Sequence, residues 1–378
     1  MRKVLMLLVC VITTHILYAQ NSIYPDRSER LFVQGEKLMA QKEYGAARRS
    51  FEEFLESYSS YDSKRGSAEY YKAVCALMLF HLDGEKLMDD FIEQSPHHPK
   101  SVIAYSDLAN FYYQEKNYSR ASQYYSKVDF RSLSNEQQIE GRFHWGYSLF
   151  NQKKLKEALE QFNYYKVTGG QYGPASSYYA GFIEFGNDDY ENALIDFKRA
   201  GQSPSYELIV PVMIANVHYK KKDFNTLLAY IDGLTNLDDV NNKEELVLLK
   251  AEAYYKKADY STALKGYKEY LEGRERYADK GVLFRAGYAA FQTKLNEDAL
   301  DYFKSAATTN DSIKYYASYY IGILYLQQNQ KLLALTAFDL VRSFKSNPGL
   351  VEESIFQFAK ISYDLGLSDQ SIKNSNSF

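Results

Sequence analysis

One frame of small and aromatic residues constrains this chain more than its length or composition. In Trp145–Phe162, Gly146 is followed by Leu155, Ala158 and Phe162 at nine, twelve and sixteen residues. A small residue, a short polar turn, then Ala and an aromatic four apart describe two helices packed as a hairpin. The small side chains let the helices approach, and the ring fills the space between them. Such a hairpin cannot bury its apolar face alone and must stack on copies of itself.

The copies are present. The frame recurs at Gly35/Tyr44/Ala47/Phe51, Ala109/Tyr118/Ala121/Tyr125, Gly181/Tyr190/Ala193/Phe197 and Ala251/Tyr260/Ala263/Tyr267. Gly287/Ala299/Phe303 and Gly322/Ala334/Phe338 keep it with Asn296 or Lys331 in second place. Ala215/Phe224/Leu227/Ile231 is looser, Cys75/Gly84/Leu87/Phe91 is the most degenerate, and Ala359 opens a copy that fades at Ser368 and Ser371. The first positions are 34 to 40 residues apart. This predicts an all-α chain in one continuous array, with turns such as Gln41–Glu43, Glu115–Asn117 and Lys257–Asp259.

The frame resembles the tetratricopeptide repeat family, a helix–turn–helix of about 34 residues. The resemblance covers nearly everything from Arg27 onward. It implies a right-handed α-solenoid of about nine to ten repeats whose first helices line a concave wall. Departures are the position of the lone Trp145, the scarcity of terminal prolines and the stretched turns. The family's Lys/Asn carboxylate clamp is not expected, because Ser106 and Val212 stand where a lysine would precede Asn110 and Asn216.

Met1–Ala19 has Arg2 and Lys3, then the apolar run Val4–Ile12, the layout of a secretory signal peptide. The boundary Ala19–Gln20 resembles exports of the Bacteroidota. The expected division is 1–19 signal peptide, 20–30 polar leader, 31–367 solenoid and 368–378 a frayed or truncated tail. No stretch after cleavage has the roughly 20 apolar residues of a membrane helix. Only Cys75 then remains, in a small-residue place, which leaves no internal disulfide.

The net charge of −3 gives no reason to expect nucleic acid. No histidine pair has metal-ligand spacing, and no phosphate loop, nucleophile elbow or paired-Cys motif occurs. His97 and His98 read as a solvated loop. The pairs Asp89–Asp90, Asp188–Asp189 and Asp238–Asp239 read as helix starts or loops. Neither an enzyme nor a cofactor is expected.

What remains is the wall of first helices. At 100° per residue, the places three before, one after and five after each small residue face the groove, with four after at its border. These places hold Phe143, Tyr147 and Asn151, bordered by Phe150, then Tyr178, Phe182 and Gly186, bordered by Phe185. They hold Phe284, Tyr288 and Gln292, bordered by Phe291, then Tyr319, Ile323 and Gln327, bordered by Leu326. Between them lie Val212, Asn216, Lys220, Leu248, Glu252 and Lys256, a polar, partly basic middle. Either these rings bind a guest or they pack on one another, and 37 tyrosines suit both. The resemblance implies an exported, non-enzymatic scaffold of the bacterial envelope. Its partner would be a protein, held as an extended peptide or helix, with peripheral outer-membrane association. Two alternatives are a glycan-capture module and the repeat segment of a larger protein.

Overall fold

The computed structural model describes residues 27–367, apart from 236, 275–276 and 310. The expected signal peptide, most of the leader and the tail lie outside them. Every regular element among the described residues is helical. The α-helices are α1 Arg27–Ala40, α2 Tyr44–Ser57, α3 Ser63–Met78, α4 Gly84–Gln94, α5 Ser101–Gln114, α6 Tyr118–Tyr125, α7 Asn135–Asn151, α8 Leu155–Tyr165 and α9 Gly173–Gly186. They continue as α10 Tyr190–Ala200, α11 Val210–Lys220, α12 Phe224–Asp232, α13 Lys243–Lys256, α14 Tyr260–Leu271, α15 Lys280–Gln292, α16 Asn296–Ala306, α17 Ser312–Gln327, α18 Lys331–Val341 and α19 Pro348–Asp364. α1 starts inside the stretch expected as leader, since Ser28 and Phe32 are already buried on its inner face.

The chain divides into two compact units, one ending at Ile183 and one starting at Glu184. In the first, the pairs α1/α2, α3/α4, α5/α6 and α7/α8 form hairpins. In the second, α11/α12, α13/α14, α15/α16 and α17/α18 do so, and α19 packs on α18.

The repeated frame is the core of both units. Phe51, Tyr125, Phe162, Phe197, Tyr267, Phe303 and Phe338 are each fully buried, as are Ala47, Ala121, Ala158, Ala193, Ala263, Ala299 and Ala334. A methyl group added to Gly146 would meet Phe162 Cε1 at 2.8 Å, and one on Gly322 would meet Phe338 Cζ at 2.8 Å. Close approach therefore requires glycine there. In the degenerate second repeat, Met88 is buried and Leu87 only half-buried, because α3 stops early at Met78 and the turn lengthens.

Each hairpin turn closes in one way. A residue in the left-handed region ends the first helix at Lys42, Phe80, Lys116, Lys153, Asp188, Lys222, Ala258, Lys294 and Asn329. The bonds Lys153 N to Phe150 O (3.0 Å) and Lys154 N to Leu149 O (3.0 Å) show the pattern, which is a Schellman cap. Gly366, at φ 73°, repeats it after α19 with Leu367 N donating to Ser362 O at 2.8 Å. The tenth copy thus keeps its turn. Asn117, Asp189, Asp223 and Asp259 then cap the second helices. Asp89 and Asp90, expected at a helix start or in a loop, lie in the middle of α4. His98, expected in solvent, packs over Gly66 and bonds Ser63 O at 2.8 Å through Nε2, tying the loop after α4 to the start of α3.

Candidate partner-binding wall

First helices of successive repeats touch, as in α5/α7 of the first unit and α11/α13 of the second. They form a wall within each unit, and the expected groove residues stand along it.

In the first unit, Tyr179 sits at the centre of a ring cluster. It lies nearly parallel to Phe162 (centroids 5.6 Å apart, 19°) and edge-on to Tyr147 (5.3 Å, 77°). Phe143 and Phe150 complete the cluster at 6.4 and 5.1 Å. In the second unit, Tyr320 takes the same place over Phe303, Tyr288, Phe284 and Phe291. Five repeat positions thus give the same arrangement twice. Tyr147 also packs on Tyr113 and Tyr118, and Tyr288 on Tyr255 and Tyr260. Rings expected to face a guest are half-buried against one another.

Phe182 differs. It touches Phe150 edge-on at 5.8 Å, yet 45% of its surface is exposed. Tyr178 and Tyr319 are half-buried, Tyr319 against Tyr320 and Phe338. Phe185 packs on Tyr190 at 5.9 Å, and Ile323 joins the cluster around Phe338. Lys220 and Lys256 are exposed. Two exposed rings were not picked out from the sequence. Phe80 (63% exposed) lies in the turn just after α3, and Phe356 (57% exposed) stands three before Ala359 on α19. The same offsets applied to the last repeat would have found Phe356.

The polar middle is reordered. Glu252 was expected on the surface and is buried instead, with Oε1 2.6 Å from Arg285 Nε. A carboxylate there needs its counter-charge, and Arg285 supplies it from the next first helix. Val212 is buried too, and Asn216 donates to Glu245 Oε1 at 2.7 Å and to Val212 O at 3.0 Å. The first unit fills the places of Glu252, Tyr267 and Arg285 with Asn110, Tyr125 and His144. There the Tyr125 hydroxyl donates to Asn110 Oδ1 at 2.5 Å, and His144 Nδ1 lies 3.2 Å from the same oxygen. His144 stacks on Tyr113 at 3.9 Å, and burial pulls its pKa down to about 4. Nearby, Tyr70 donates to Asp107 Oδ2 at 2.5 Å, and burial raises Asp107 to about 6.

Among the described residues, no group of three His, Cys, Asp or Glu is placed to hold a metal ion, and no helix is long and apolar enough to cross a membrane. Cys75 is buried, and burial raises its thiol to about 11. The Tyr70–Asp107 and Tyr125–Asn110–His144 contacts join neighbouring helices.

A stack of helical hairpins with an aromatic first-helix wall defines a helical-repeat protein. Residues 248–313 match the model of the tetratricopeptide repeat. The C-terminal part of a tetratricopeptide-repeat protein from Cytophaga hutchinsonii aligns over 65% of this chain and 97% of its own, at 16% identity and a TM-score of 0.51. The Naa15/Naa10 structure bound to HypK-THB aligns over 93% of this chain and 59% of that one, at 12% identity and a TM-score of 0.53. A tetratricopeptide repeat protein from Parabacteroides merdae aligns over 69% and 98%, at 13% identity and a TM-score of 0.43. At these identities the likeness to the first two is one of fold. No curated protein matches the chain.

Proposed function

We propose that this protein is a non-enzymatic scaffold that holds a protein partner along its first-helix wall. The observation that carries the reading is Phe182, a large ring left 45% exposed at a groove place while its neighbours turn onto one another. Exposed aromatics on a rigid surface are the usual anchors of protein recognition. The fold supports the reading as well, since a chain of this fold occurs in the Naa15/Naa10 structure bound to HypK-THB.

The partner in this reading is an extended peptide or a helix of a bacterial envelope protein, met after export. The layout of Met1–Ala19 supports export. Glycan capture has less support, because the wall tyrosines spend their ring faces and edges on other rings.

Crosslinking and pull-down from native envelopes tests this, with wild type and Phe182→Ser side by side. The expected result is loss of the same captured protein with unchanged melting. Capture that survives the substitution rejects the wall as the binding surface.

A further inference from the structure

The turns closing the sixth and seventh repeats, both in the second unit, read Lys220-Lys221-Lys222-Asp223 and Lys256-Lys257-Ala258-Asp259. They carry five lysines against two aspartates on a chain of net charge −3. Because α11 and α13 pack together, the two turns lie side by side at about 8–10 Å, the usual helix spacing.

The charges divide by what they are committed to. Asp223 and Asp259 accept from Thr226 N (3.2 Å) and Thr262 N (3.1 Å) and so cap the second helices. Lys221 pairs with Glu191, and Lys257 Nζ reaches Asn225 Oδ1 at 2.6 Å. Both reach back to the second helix of the preceding repeat. Lys220, Lys222 and Lys256 stay exposed, with no ion pair or side-chain hydrogen bond among the described residues. Lys222 moreover holds the left-handed place, φ 59°, where glycine or asparagine is less strained. Three cations on one edge thus have no work within the fold.

We propose that this edge receives an acidic peptide segment, whose carboxylates pair with Lys220, Lys222 and Lys256. An extended chain advances about 3.3 Å per residue. Acidic residues three apart therefore match the spacing of the two turns. The inference rests on the scaffold reading and names the charge of its partner.

The probe is a fluorescein-labelled decapeptide with glutamate at every third position and serine between, followed by anisotropy from low to physiological salt. Wild type should bind it, more weakly as salt rises. The triple variant K220E/K222E/K256E should lose at least tenfold in affinity with unchanged melting. The matched variant K42E/K153E/K294E removes three exposed lysines from turns of three non-adjacent repeats and should keep wild-type affinity. No binding, or an equal loss in both variants, overturns the inference. So does binding to phosphatidylglycerol vesicles without binding to the peptide, since the edge would then read a membrane surface. If the peptide fails while Phe182→Ser still strips the native partner, only the acidic assignment falls. If Phe182→Ser leaves capture intact, the wall itself is wrong.

Discussion

Tyr320 lies over Phe303 with ring centroids 5.1 Å apart and planes within 11° of parallel. Four repeats earlier, Tyr179 lies over Phe162 in the same way. Each tyrosine comes from the next first helix and covers the ring that fills the preceding hairpin. The groove-facing places beside it are thereby drawn into packing, since an uncovered ring would leave apolar surface in water.

Tyr147 and Phe182 occupy the same place in successive repeats and should respond differently. Tyr147→Ser and Tyr288→Ser each remove a half-buried ring with several ring partners, and should destabilise by about 1.5–3 kcal/mol, below the full core-truncation range. Phe182→Ser should stay within about 1 kcal/mol. Urea melts of the three variants check this. Equal losses would mean Phe182 is packed too.

The left-handed lysines predict stabilisation by glycine. Lys116→Gly, Lys153→Gly and Lys294→Gly should each add about 0.5–1 kcal/mol, because relief at positive φ exceeds the added chain entropy of glycine. The reverse change, Gly366→Ala, isolates the backbone effect, since nothing lies within 4 Å of the added methyl. It should destabilise by about 1 kcal/mol. Thermal melts give the sign of each.

Gly146→Ala should destabilise by about 1–3 kcal/mol although alanine is the better helix former. The new methyl would stand 2.8 Å from Phe162 and 3.2 Å from Gln161 Cβ. Gly45, also helical, has nothing within 4 Å, so Gly45→Ala should stabilise slightly. Opposite signs in denaturant melts confirm the close approach.

His144 and Asp107 give opposing pH dependences. His144 is held near 4, so the unfolded chain binds more protons between about pH 6.5 and 4, and stability falls as pH drops through that window. Asp107 is held near 6, so the folded chain binds more protons between about pH 6 and 4, and its contribution grows on acidification. Asp107→Asn keeps an acceptor for Tyr70. It should be more stable than wild type at pH 8 by about 1–3 kcal/mol, an advantage that vanishes by pH 4. Urea melts at pH 4, 6 and 8 read the difference.

Period decides fold in a repeat chain, and period is written in residue order. Gly146, Ala158 and Phe162 and their counterparts announce helix, turn and helix because a small residue, an alanine and a ring at those offsets face one another in only one local geometry. The same offsets located the core. The sequence could not separate Tyr147 from Phe182, nor place Glu252 indoors, because those outcomes depend on what the next repeat presents. Tyr179 covers Tyr147 and Arg285 neutralises Glu252, and both lie more than 30 residues further along the chain. Local spacing fixes which face a side chain takes. Only the tertiary structure fixes whether another side chain is already there.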